Sequence, residues 1–153
     1  MRDQIEMTRG VFYTLVGICA VIIFSTSLEA IFKVKDTAFF EMWLSNPNLN
    51  TAMIGETSEE LYQTYLTMCM SSFFVKIITP VGLAIHSYIT LTKLRVNKLY
   101  VVIWTVLLIG SFGFSIIGES LYSIFFIVSS IGYIALILMM IYLGKCIFNV
   151  RGL

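Results

Sequence analysis

Residues 99–148 read LYVVIWTVLLIGSFGFSIIGESLYSIFFIVSSIGYIALILMMIYLGKCIF, and Glu119 and Lys145 are the charged side chains among them. A helix that crosses a bilayer needs about 20 apolar residues, because the hydrocarbon is about 30 Å thick and the helix rises about 1.5 Å per residue. The stretch holds two such runs, 99–117 and 121–148, separated by Gly118, Glu119 and Ser120. So short a link predicts an antiparallel hairpin, with Gly118 giving the turn its backbone freedom. The second run is long enough to tilt or to reach past the membrane.

Two more runs of the same kind lie upstream, at 11–32 and 68–91. The first is longer than the ~7–15 residues of a signal-peptide core and no small-residue cleavage site follows it, so it is expected to be a retained span. Of the 153 residues, 58% are hydrophobic and 12% charged, against roughly 25% charged in a soluble domain. Lipid must therefore solvate much of the surface. The fold expected is all-α: a polytopic integral membrane protein, one domain over 1–153, built as a bundle of four transmembrane helices.

Basic residues set orientation. Arg2 and Arg9 precede the first run, Lys93, Arg95 and Lys98 fill the link between the second and third, and Lys145 and Arg151 close the fourth. Lys33 and Lys35 fall on the other side, together with Asp36, Glu41, Glu56, Glu59, Glu60 and Glu119. Both termini are thus expected in the cytoplasm and the acidic 34–60 segment outside. Composition, with spans rich in Ile and Phe and no N-x-S/T site, points to a bacterial plasma membrane.

Within 34–60, the cluster Phe39, Phe40, Trp43 and Leu44 predicts a short element at headgroup level, where Trp is favoured. The same four residues are the candidate for docking a partner. Thr57 with Glu60 three residues on is a capping box that should start the second helix. From there to the end of the run the helix exceeds the bilayer, so two or three turns through Tyr62 and Tyr65 should stand above it. Pro80 removes one helix hydrogen bond in mid-span and predicts a kink.

Ionisable groups inside spans are costly and often functional. Here they are Glu29, Lys76 and His86. Ser72, Lys76, Thr79, His86 and Thr90 recur at spacings of three, four or seven and share one helix face, interrupted by Leu83. A polar face in lipid must meet another helix, a partner or a water-filled path. Lys76 is expected to pair with Glu29, and Glu119 could join, forming a charged cluster that ties three helices. Glu29 also has Lys33 one turn on, at the favourable i,i+4 spacing. Ser111 and Ser115 in the third run, and Ser129, Ser130, Gly132 and Ala135 in the fourth, suit close helix approach.

Several chemistries lack their residues. His86 is the one histidine, and Cys19, Cys69 and Cys146 have no ligand or C-x-x-C spacing, so neither metal nor cofactor is expected. No G-x-S-x-G, H-E-x-x-H or paired intramembrane aspartate occurs. The net charge of +1 calls for no nucleic acid. The function expected is a small non-enzymatic accessory or regulatory subunit of a larger membrane complex, a transporter or a sensor. Its partners would be membrane lipid and either a different membrane protein or further copies of the chain. The alternative is a self-assembling channel or carrier with a polar path through Lys76 and His86. A third is an enzyme using the acids of the 34–60 segment.

Overall fold

The computed structural model describes residues 4–45, 57–93, 95–116 and 123–149. Five helices and one two-residue strand pair account for almost all of them: β1 (Gln4–Ile5), α1 (Arg9–Lys35), α2 (Thr37–Leu44), α3 (Ser58–Thr92), β2 (Val96–Asn97), α4 (Lys98–Ile116) and α5 (Ile124–Asn149). Four of the helices, α1, α3, α4 and α5, are long and apolar enough to cross a membrane.

Each boundary has a local cause. Thr8 caps α1, its hydroxyl accepting from the Val11 amide at 3.3 Å. Asp36 ends α1 and begins α2: its amide donates to the Phe32 carbonyl, while its carboxylate accepts from the Ala38 amide at 3.0 Å. One residue therefore turns the chain between two helices. At α3 the capping box is complete, with the Thr57 amide donating to Glu60 Oε2 at 2.8 Å and the Glu60 amide donating to Thr57 Oγ1 at 3.4 Å. The Thr57 amide, and the Thr57 hydroxyl that also donates to Oε2 at 2.8 Å, hold the Glu60 carboxyl below the usual carboxylate range. Asn97 caps α4, accepting from the Tyr100 amide at 2.7 Å.

The first span is longer than the 11–32 run, because the helix continues through Lys33 and Lys35 to Asp36. The 34–60 segment contains a helix, α2, at the aromatic cluster. α3 has 35 residues, about 52 Å at ~1.5 Å per residue, so it is longer than ~30 Å of hydrocarbon. The turn expected at Gly118, Glu119 and Ser120 lies outside the described residues.

α1 packs along α3 and α5, α5 also along α4, and α4 more lightly along α3, so α1 and α4 sit diagonally. On α5 the buried residues Tyr133, Leu136, Met140, Leu143 and Ile147 recur at alternating spacings of three and four, the seam of helices crossing at a shallow angle. They meet Leu15, Cys19 and Ile22 of α1, Leu83 of α3, and Tyr100, Trp104 and Leu108 of α4. The opposite faces carry exposed Ile131, Ile134, Leu138 and Ile141 on α5 and Val102, Val106 and Ile109 on α4. Helices apolar on every side suit lipid. At Gly132 a Cβ would lie 2.6 Å from Ile22 Cγ1, so glycine is what lets α1 and α5 approach there.

The two ends of the bundle differ. At one, β1 pairs antiparallel with β2, Gln4 opposite Asn97 and Ile5 opposite Val96. Lys98 lies 5.0 Å over the Phe148 ring, so the start of α1, the α3–α4 link and the end of α5 share this terminal end. At the other end α2 folds onto the first turns of α3.

Candidate functional site

Two helices, α1 and α3, meet at the carboxylate of Glu29. Lys76 Nζ on α3 lies 3.4 Å from both Glu29 oxygens, and Lys33 Nζ, one turn further along α1, lies 2.8 Å from Oε1. Glu29 is 6% exposed and Lys76 7%. Lys76 gives the buried carboxylate its countercharge where an unpaired charge would be very costly, and the partly exposed Lys33 adds a second donor.

The main chain of Lys76 is held as well. In an α-helix its carbonyl would accept from the amide four residues on, and that residue is Pro80, which has no N–H. Tyr133 of α5 supplies the missing donor, its hydroxyl donating to the Lys76 carbonyl at 2.8 Å. Lys76 is thereby tied to α1 by its side chain and to α5 by its backbone.

α3 and α4 are stitched at two levels, seven residues apart on each helix. Thr79 and Ser111 share a hydroxyl–hydroxyl hydrogen bond. Further along, Trp104 Nε1 donates to His86 Nδ1 at 2.9 Å, which leaves Nε2 to carry the proton of the neutral ring. Beside it, the hydroxyls of Ser87 and Tyr100 lie 2.7 Å apart. The antiparallel order of the helices produces this matched spacing.

The expected polar stripe on α3 faces the bundle interior. Thr79, Lys76 and His86 reach other helices, Thr90 is buried and donates to the carbonyl of His86 on its own helix at 2.8 Å, and Ser72 is half-buried. Leu83, within the stripe, is wholly buried core. Glu119 lies outside the described residues, so the cluster described contains Glu29, Lys33 and Lys76. On α4, Ser111 and Ser115 face inward, whereas no neighbour approaches Gly110 or Gly113.

At the other end, Phe40 and Trp43 turn toward Tyr62 and Tyr65 of α3, with ring centroids 5.2 Å (Phe40–Tyr62), 5.4 Å (Phe40–Tyr65) and 5.6 Å (Trp43–Tyr65) apart. Tyr65 donates its hydroxyl to the Lys33 carbonyl at 2.8 Å. Leu44 is half-buried, while Phe39 and Met42 point outward, 37% and 63% exposed. Trp43 Nε1 is buried without a hydrogen-bond partner among the described residues, as are the hydroxyls of Ser129 and Ser130.

Tyr133, Trp104 and Tyr100 are the participants that sequence reasoning missed. A signal for Tyr133 existed: a proline at 80 implies an orphaned carbonyl at 76 and hence a donor nearby. Among the described residues no group of three or more His, Cys, Asp or Glu could hold a metal. No family model matches the chain, and no curated protein or solved structure matches it.

Proposed function

We propose that the chain is a small, non-enzymatic accessory or regulatory subunit of a larger membrane complex, a transporter or a sensor. The observation that supports this best is the α2 platform. An eight-residue helix is pinned by its aromatic side to the protruding end of α3, leaving Phe39 and Met42 outward. A rigid apolar edge held off the bundle suits contact with a neighbour, since little ordering entropy remains to be lost. In this reading both termini are cytoplasmic, α2 lies outside, α3 bends at Pro80, and the membrane is a bacterial plasma membrane.

The polar groups of α3 are engaged with α1, α4 and α5, and Leu83 separates Thr79 from His86. That weighs against the channel or carrier reading, which needs those groups along an open path.

Purification of the full chain at native levels in mild detergent, followed by mass spectrometry, tests the proposal. A different membrane protein in fixed ratio is expected, and Met42→Arg should release it without loss of the chain itself. A pure homo-oligomer would overturn the reading and direct attention to flux through liposomes.

A further inference from the structure

A cavity of about 490 Å³ opens at the terminal end, beside the strand pair and between the end of α3 and the start of α4. His86, Lys93 and Arg95 line it, together with Leu99 and Ile103 of α4. Lys93 and Arg95 are exposed, and Arg95 shares its charge with Glu6 at 3.1 Å. His86 contributes a ring whose Nδ1 is occupied by Trp104, leaving Nε2 as a donor. The cavity therefore offers donors and positive charge and, on its other side, apolar surface.

That apolar surface continues. Leu99, Ile103 and Leu107 follow one another at intervals of four along α4, and all three are exposed. They form a strip running from the cavity toward the middle of the bundle. The ligand that matches both halves has an anionic head and a hydrocarbon tail. Arg9 and Lys98 at the same end add to the field that would gather anionic lipid.

We propose that this cavity binds the phosphate headgroup of an anionic phospholipid, with one acyl chain lying along Leu99, Ile103 and Leu107. Lys93 and Arg95 hold the phosphate and His86 donates from the cavity wall. The site is independent of the accessory-subunit reading: it requires only that the chain sit in a bilayer.

The protein carries its own reporter. Its two tryptophans are Trp43, at the α2 end, and Trp104, in contact with His86. Full-length chain with Trp43→Phe, reconstituted in phosphatidylcholine vesicles, isolates Trp104 emission. Phosphatidylglycerol brominated near the top of its acyl chains should quench it at lower mole fraction than brominated phosphatidylcholine. Lys93→Gln, an exposed change that leaves the Arg95–Glu6 pair in place, should reduce that preference about fivefold, and Lys145→Gln, outside the cavity, should leave it unchanged. Equal quenching by the two lipids would overturn the proposal. So would an equal loss in Lys145→Gln, which would mean general surface charge. Relief of quenching by inorganic phosphate would assign the cavity to a soluble phosphate instead and overturn the lipid.

Discussion

Tyr133 donates its hydroxyl to the carbonyl of Lys76, the carbonyl that Pro80 leaves without an amide. A side chain of α5 thus completes the hydrogen bonding of α3 at the level where the buried charges meet. In hydrocarbon an unmatched carbonyl has no water to turn to.

Tyr133→Phe should therefore destabilise the bundle by about 1 kcal/mol, the size of a hydrogen bond lost between membrane helices. The loss should shrink in a Pro80→Ala background, where residue 80 regains an amide for the same carbonyl. Equilibrium unfolding in mixed micelles measures both, and additive losses would mean that the two residues are uncoupled.

Removing one partner of the buried pair is expected to be worse than removing both. Glu29→Gln removes the negative charge that Lys33 and the buried Lys76 share and should cost about 3–5 kcal/mol. Glu29→Gln with Lys76→Met should be milder than Glu29→Gln. Exchanging the two charges should recover stability only in part, because a lysine at 29 would face Lys33, which now sits 2.8 Å from the carboxylate. The same unfolding assay ranks the four proteins.

Gly132→Ala places a methyl 2.6 Å from Ile22 Cγ1 and should cost about 1–3 kcal/mol through overpacking between α1 and α5. Combined with Ile22→Ala, it should cost less than the two changes added. Strict additivity would show that the helices separate rather than clash.

The cap of α3 should respond to acid. The Glu60 carboxyl is held low by its bonds to Thr57, so its contribution is present above the unfolded-state pKa and is lost as pH falls through the lower folded-state value. Amide exchange at 58–61 should accelerate at acid pH, and Thr57→Val should give the fast exchange already at neutral pH.

The four spanning helices were legible because 20-residue apolar runs have few other uses, and the start of α3 because Thr57 and Glu60 stand at capping-box spacing. The buried seam of α5 was not. In water an apolar residue marks the inside of a helix, but Ile134 faces outward and Leu136 inward on the same helix, and lipid accepts both. For the same reason Glu29 and Lys76 stood out, as charges in apolar runs, while Tyr133 and Trp104 did not, because aromatic rings are equally at home in bilayers. The pairing of β1 with β2 left no trace, since two residues establish no period.

That strand pair has a consequence for how the chain is made. Gln4 and Ile5 emerge first, yet Asn97 and Val96, their partners, follow only after α1, α2 and α3. At roughly 5–20 residues per second the wait is several seconds. The leading residues must stay unmatched while two spans enter the bilayer, and their closure onto the α3–α4 link then works as a latch. An N-terminal fusion that occupies residues 4 and 5 would leave the latch open even when every span is in place.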